Sequence, residues 1–542
     1  MGLVYLLQET AALITPMNLF YCFVAVQLGI IFGMLPGLTA TVGIAILTAL
    51  TFQWDPGNAI LVLIGIYVGA IYGGSRSAIL LNMPGTPASA ATCLDGYPLA
   101  RSGQAAQALG LATTASFLGS MAGLIALSFL TPLLGSVALQ FQSYEVFWLA
   151  VFGVAICGNL TAAGDPVKGW VAGLLGILLS FVGMETIHGF RRFTFGVSEL
   201  MPGFGIIPVL VGVYGIVEIL TSLSDTSGER RMPQIGRTLP QVRDVLANWV
   251  NIVRSGVIGV FTGIIPGVGE NIGSFVAYDF AKRASKHPEK FGKGSIEGLI
   301  ASETGNNAVV GGALVPVLAL AIPGSPPAAV LLAALFLHNI RPGPLLVIEN
   351  PMYMYTFSAM FLLASFAMFV LGILILKPLL KLLTIRKSIM MPVIMVLCMV
   401  GTYAIAGRLF DILVMITFGL LGYPMRKLGY PEAPFVLGII LGPMVDENLR
   451  RGMLLSHGNP AAFFVSPISI ALVIMTFFTL FGRTQPVRAV FRFALSPVRG
   501  TMRSIGRTLG LVRRNGNSGS PSASGASEPF PGDRGEDEDL HK

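Results

Sequence analysis

Apolar stretches separated by short polar segments recur along the whole 542-residue chain. Many approach the ~20 residues that a helix needs to cross a bilayer. Several others are too short, or too often interrupted by Gly and Pro, to cross it completely. The pattern predicts an all-α polytopic membrane protein with roughly 12 transmembrane segments plus broken or re-entrant helices. The apolar segments lie near 19–35, 38–53, 59–81, 106–131, 146–161, 169–187, 205–223, 252–265, 299–322, 327–348, 355–383, 389–406, 408–425, 433–446 and 463–482.

The composition agrees with a membrane protein. Hydrophobic residues make up 54% of the chain and charged residues only 11%, against about 25% charged residues in soluble domains. This excludes a soluble enzyme, a nucleic-acid-binding protein and a disordered scaffold. The net charge of +8 needs no anionic partner, because Lys and Arg collect in the cytoplasmic loops of membrane proteins.

The polar segments divide the chain into four parts. Residues 1–223 form a first membrane repeat, 224–254 a basic linker, and 255–482 a second membrane repeat with terminal helices. Residues 483–542 form a tail that is first Arg-rich and then acidic, and its composition predicts disorder. By the positive-inside rule, the linker and the C-terminal tail are expected on the cytoplasmic side.

Two Gly/Pro motifs occur in both membrane parts. The motif around Pro36-Gly37 resembles that around Pro266-Gly267, and NMPGTP at 82–87 resembles IPGSP at 322–326. Such short matches arise by chance in a glycine-rich chain, but two pairs in the same order favour duplicated halves. A count of segments would make the halves parallel. We expect inverted repeats, which requires that some segments re-enter without crossing.

Proline and glycine break helices and leave backbone groups unpaired. In a bilayer such breaks persist only around a protected polar cavity, and paired breaks in two halves mark a transporter's central site. Helix N-termini there favour an anion, and freed carbonyls favour Na⁺ or H⁺. The alternative is that Gly and Pro only permit close packing, with small polar residues joining helices. The residues predicted to bind substrate or cation are Ser75, Asn82, Pro84, Gly85, Thr86, Thr92, Glu303, Thr304, Asn306, Asn307, Pro323, Gly324 and Ser325; those predicted at the other helix breaks are Pro36, Gly37, Pro266, Gly267, Glu270 and Asn271.

Ionisable residues within membrane segments are candidates for function because their burial is costly. For a carboxylate that responds to the coupling cation, the order of preference is Glu303, Glu270 and Asp95, although Asp95 in DGYP also fits a polar turn. Asp446 and Glu447 are expected in loops, with structural roles. Histidines and cysteines are not spaced for a metal site, and no cofactor is expected apart from the coupling Na⁺ or H⁺.

Two rival classes are less well supported. A membrane-embedded enzyme would need a catalytic motif, and the sequence offers neither a metalloprotease HExxH nor a P-loop. A channel could also select ions with unwound carbonyls. Paired broken helices favour alternating access instead.

Long motifs resemble the large membrane subunit of tripartite tricarboxylate transporters, the TctA family. In the first half the resemblance lies in YGGSRSAILLNMPGTPASAATCLDGYPLARSGQAAQAL, from Tyr72 to Leu109. In the second half it lies in GIIPGVGENIGSFVAYDFAKRASK from Gly263 and ETGNNAVVGGALVPVLALAIPGSPPAAVLL from Glu303. The family pattern leads us to expect a small or apolar residue at position 76, and Arg76 departs from this pattern. We favour a snorkelling side chain for Arg76 over one that contacts substrate.

The resemblance implies a secondary transporter in a bacterial inner membrane that imports di- or tricarboxylates or related organic anions. It also implies two partners, a small four-helix membrane subunit and a periplasmic substrate-binding protein, besides the surrounding membrane lipid. A self-sufficient ion-coupled carrier or channel without a binding protein is the alternative. We expect Asn82→Ala and Asn306→Ala each to abolish transport without loss of membrane expression.

Overall fold

The computed structural model describes residues 2–35, 38–161, 165–224, 241–375 and 387–481. The expected break at Pro36-Gly37, most of the 224–254 linker and the tail from 483 onward lie outside these ranges. The backbone of Asn271 is described, but its side chain is not.

The described residues are mainly helical, which confirms the predicted all-α class. One short antiparallel hairpin interrupts the helices, with Gly183–Met184 (β1) paired to Arg191–Arg192 (β2). The α-helices are α1 Gly2–Leu13, α2 Pro16–Met34, α3 Ala40–Thr51, α4 Pro56–Leu81, α5 Ala90–Leu99, α6 Ala105–Ala138, α7 Ser143–Thr161, α8 Pro166–Ser180, α9 Ile206–Leu210, α10 Val217–Ser224, α11 Val242–Ala247, α12 Trp249–Ile264, α13 Gly269–Ala284, α14 Ile296–Leu320, α15 Pro326–Leu337, α16 Pro344–Glu349, α17 Met352–Leu374, α18 Lys387–Ala406, α19 Leu409–Lys427, α20 Glu432–Leu455 and α21 Pro467–Phe481. The π-helices Ala100–Gln104 and Val211–Ile216 and the 3₁₀ turns Pro87–Ser89, Ser198–Leu200, Pro288–Lys290 and Pro460–Phe464 connect them.

Within the described ranges, eight helical stretches are long and apolar enough to cross a membrane. Five shorter apolar helices, among them α3, α12 and α15, accompany them. The protein is therefore a multi-pass membrane protein. The count of roughly 12 spans stays a prediction. Asp446 and Glu447 lie inside α20, so the expectation that they occupy loops is wrong.

Two long helices, α4 and α14, form the centre of the fold, and nearly all their residues are buried. Each ends in a left-handed residue: Asn82 has φ 54° and Ala321 has φ 56°. After each break a new helical segment begins. Its N-cap is a hydroxyl residue, Thr86 or Ser325, and its first residue is proline. Proline fits the start of a helix because the N–H that it lacks has no partner within the helix at that position.

The central helices run antiparallel to each other. The amide nitrogen of Asn306 lies 3.5 Å from the carbonyl oxygen of Ile71. Further along α4, Ser75 contacts Glu303, which lies earlier in α14. The two helices that end in these breaks therefore have opposite directions.

Close backbone contacts recur in both halves at the sequence separations of the Gly/Pro motifs. A Cβ added at Gly33 would collide with the carbonyl oxygen of Ala70, and one at Gly263 with that of Val309. Three further pairs of glycines show the same kind of collision with a carbonyl oxygen, one member in each half. Gly29 meets Ile66 and Gly259 meets Gly305. Gly73 meets Ile30 and Gly312 meets Val260, and Gly85 meets Gly33 and Gly324 meets Gly263. Only glycine permits these approaches, so the glycines of both motif pairs hold equivalent packing positions.

Candidate functional site

Glu303 lies at the centre of a buried cluster of hydroxyl groups. Ser75 donates to its Oε2 at 2.7 Å, Ser116 donates to the same oxygen at 2.8 Å, and Thr92 donates to Oε1. All four residues are completely buried. Three hydrogen bonds offset part of the large cost of burying a carboxylate away from water. Three predicted site residues are thus in contact, since Ser75 and Thr92 both bond to Glu303, and Ser116 is an addition.

Arg76 follows Ser75 and is 1% exposed, so the expected snorkelling is wrong. Its guanidinium donates to the carbonyl of Leu109 at 3.2 Å and to Thr113 Oγ1 at 2.7 Å. It also lies 4.2 Å from the centre of the Tyr72 ring. These contacts join α4 to α6 and give the buried charge a carbonyl, a hydroxyl and an aromatic face, while Nε of Arg76 has no hydrogen-bond partner among the described residues.

The polar residues that follow Glu303 in α14 are also buried. Thr304 donates to the carbonyl of Ala115 at 3.3 Å, and Asn307 donates to the carbonyl of Glu303 at 3.0 Å. The side-chain oxygens of Asn306 and Asn307 have no hydrogen-bond partner among the described residues. Buried oxygens without partners are costly and can serve as ligands for a hard cation.

A second carboxylate, Glu270, lies in the first turn of α13. The Tyr67 hydroxyl hydrogen-bonds to Glu270 and lies 2.6 Å from Ser325 Oγ. Ser325 also caps α15 by accepting the N–H of Ala328 at 3.4 Å. Glu270 and Ser325, both predicted site residues, are therefore joined through a tyrosine that the sequence analysis did not select.

A cavity of about 220 Å³ lies beside Glu270. Its size is below the ~300–1,000 Å³ of sites for drug-sized ligands, so it suits a small molecule. The starts of five helical segments line it: Thr39–Thr41 at α3, Thr86–Ala88 before α5, Gly267 and Glu270 at α13, Pro326-Pro327 at α15, and Pro431, Glu432 and Ala433 at α20. Helix N-termini carry partial positive charge and favour anions.

The lining of the cavity also includes a charged network. Arg426 donates to both carboxylate oxygens of Glu432, at 2.6 and 3.0 Å, and to Glu218 at 2.7 Å. Tyr214, from the π-helix Val211–Ile216, also lines the cavity; it is 9% exposed, and its hydroxyl has no partner among the described residues. Sequence reasoning missed these four residues because they lie far from the Gly/Pro motifs. The charge of Arg426, directly after the apolar segment 408–425, was a signal in the sequence that could have identified this part of the site.

Other predicted residues occupy different places. Asn82 and Pro84 are exposed, and Asn82 serves the left-handed end of α4. Gly85, Pro323 and Gly324 are buried in the two breaks, and Pro266 is half-buried beside Gly267. Thus the cavity gathers Thr86, Gly267, Glu270 and the start of α15, whereas Glu303 belongs to a separate cluster.

Asp95 has a structural role in this geometry. It lies within α5, so the alternative of a polar turn is wrong. Its Oδ1 accepts three backbone N–H groups, from Gly292, Gly294 and Ser295, at 2.7–2.9 Å. This carboxylate fastens the loop that precedes α14.

Comparison with known proteins places the chain in a family. The model of the tripartite tricarboxylate transporter TctA family matches residues 19–437. The chain belongs to the TctA family. It is 37% identical over 469 residues to an Agrobacterium vitis protein described as an uncharacterized 52.8 kDa protein in the TAR-I ttuC' 3' region, covering 86% of this chain and 92% of that protein.

A second A. vitis protein, described as uncharacterized and from the TAR-II ttuC' 3' region, is 34% identical over 215 residues, covering 40% of this chain and 89% of the relative. No solved structure matches. Membership of the TctA family makes this chain a component of a tripartite transporter, which has other subunits.

Proposed function

We propose that this chain is the membrane permease of a binding-protein-dependent secondary transporter that imports di- or tricarboxylates or related organic anions. A periplasmic binding protein delivers the anion, and a small four-helix membrane subunit completes the permease. The protein resides in a bacterial inner membrane with its C-terminus in the cytoplasm. The observation that carries the proposal is the cavity lined by five helix starts.

Alternating access between inverted repeats is the mechanism that we propose. The antiparallel packing of α4 and α14 supports it, as do the equivalent glycine contacts in the two halves. Both breaks reach the same cavity, through Thr86 in the first half and Pro326 in the second. A movement of one half against the other would therefore reshape the cavity from both sides.

Electrostatics gives a reason for coupling to Na⁺ or H⁺. Glu218, Glu270 and Glu432 line the cavity against one guanidinium, that of Arg426. An organic anion entering this site adds negative charge, and a bound cation or proton offsets it. The unpartnered oxygens of Asn306 and Asn307 and the carboxylate of Glu303 are the groups that we propose for the cation.

Anion binding to the purified protein tests the proposed site. A ligand that binds the folded state raises its melting temperature, so we expect succinate and citrate to stabilise the protein and sulfate at equal ionic strength not to do so. Ala433→Phe would fill part of the cavity and remove this stabilisation. Ala461→Phe, at an exposed position that does not line the cavity, is the matched control. Equal stabilisation of both variants by succinate would contradict the site.

A further inference from the structure

We infer that Arg426 binds a carboxylate of the transported anion, and that Glu218 occupies this position on the guanidinium when the anion is absent. The inference rests on the proposed function and deepens it. It assigns a residue to substrate recognition in the cavity that the helix starts line.

The geometry makes the two glutamates unequal. Glu432 takes Nε and NH2 of Arg426 in a two-point bond, which fixes the plane of the guanidinium. Glu218 takes only NH1, through one oxygen, and Thr221 shares this nitrogen at 3.2 Å. Glu218 can therefore leave without displacing Arg426, and NH1 then offers a donor to a different carboxylate.

The helix that carries Glu218 has a local irregularity. Glu218 lies two residues after the π-helix Val211–Ile216, in the first turn of α10. A π-helical turn holds a wider hydrogen-bonding pattern and is frequent at functional sites. A change of this turn to α-helical pairing would rotate Glu218 relative to Arg426, which is carried by a different helix, α19.

The charges around Arg426 favour replacement of Glu218 by the substrate carboxylate over binding of a third carboxylate beside the two glutamates. Arg426 is already paired with two carboxylates, so a third would be repelled unless one departs. Replacement of Glu218 by a substrate carboxylate keeps the number of negative groups on the guanidinium constant. The second carboxylate of a dicarboxylate can then contact a helix start that lines the same cavity, whereas a monocarboxylate such as acetate has no second group to do so.

Variants with opposite expected effects test this assignment. We expect Arg426→Gln to weaken succinate binding by tenfold or more, since one charged hydrogen-bonding group is lost. Glu218→Gln removes the competing charge, and we expect it to strengthen succinate binding several-fold. Arg408→Gln is the control: Arg408 pairs with Asp411 at the other end of the same helix and does not line the cavity.

The measurement is a calorimetric titration of the purified protein with succinate and with acetate. If Arg426→Gln fails to fold, Arg426→Lys replaces it in the test. Lysine keeps the positive charge but cannot form the two-point bond, so we expect a loss of succinate affinity smaller than that expected for Arg426→Gln. If Glu218→Gln weakens succinate binding as Arg426→Gln does, the network only holds the helices together and the inference is wrong. Unchanged binding in Arg426→Gln would overturn it equally. Wild-type protein that binds no organic anion would instead overturn the proposed function.

Discussion

Ser75 and Glu303, 228 positions apart, are joined by a buried hydrogen bond of 2.7 Å. One residue lies in α4, just before the first helix break, and the other lies in α14 of the second half. The bond links the two halves of the molecule at a completely buried carboxylate. Any movement of α4 against α14 must therefore stretch or replace this contact.

Removal of one hydroxyl from the Glu303 cluster should destabilise the protein. Ser116→Ala leaves Oε2 of Glu303 with one donor fewer, at a cost of about 1–3 kcal/mol. Ser128→Ala is the matched control, because Ser128 lies on the same helix, is buried and has no hydrogen-bond partner among the described residues. The midpoint of thermal unfolding in detergent should fall for Ser116→Ala and stay nearly constant for Ser128→Ala. Equal midpoints would show that the hydroxyl does not support the carboxylate.

Sequence reasoning found Glu303 because a charge inside an apolar segment is informative by itself. It also identified the helix breaks, since Pro and Gly have known backbone consequences. It could not find Ser116 or Tyr67, because their partners lie on distant helices and nothing local marks them. Glu218 lies inside the apolar segment 205–223 and was an available signal that it did not use. For Arg76 it predicted snorkelling, since the sequence does not show that α6 offers a carbonyl and a hydroxyl within reach.

The two asparagines predicted to be essential can now be distinguished. Asn306 is completely buried with an unpartnered oxygen, so we expect Asn306→Ala to abolish uptake. Asn82 is exposed, and its backbone has a left-handed conformation with φ 54°. Glycine adopts this conformation without strain, so Asn82→Gly would preserve it. Asn82→Gly should therefore retain uptake, whereas Asn82→Ala should lower it. Loss of uptake in Asn82→Gly, with normal membrane expression, would show that the side-chain amide is needed.

The glycines of the two breaks should respond alike to substitution. A Cβ at Gly85 or Gly324 would collide with the carbonyl oxygen of Gly33 or Gly263, respectively. Overpacking of this kind costs about 1–3 kcal/mol, so both alanine variants should give less folded protein on size-exclusion chromatography. In Gly401→Ala the new Cβ meets its nearest atom at an ordinary 3.6 Å, and this control should behave as wild type. Tolerance at Gly85 with intolerance at Gly324 would argue against equivalent breaks.

The proposed inversion of the repeats predicts opposite membrane orientations. Reporter fusions placed before and after residue 84 should give the reverse pattern of those placed before and after residue 323. The antiparallel contact between α4 and α14 is the structural reason for this expectation. Like orientations at the two sites would mean parallel repeats.

Uptake into proteoliposomes tests the central claim most directly. Vesicles would hold this chain with its small membrane partner, and labelled carboxylates would be supplied with or without the periplasmic binding protein under imposed Na⁺ or pH gradients. We predict saturable uptake that requires the binding protein and one of the two gradients, which would also identify the coupling ion. Equal uptake without the binding protein would contradict the proposed tripartite mechanism and indicate a self-sufficient carrier.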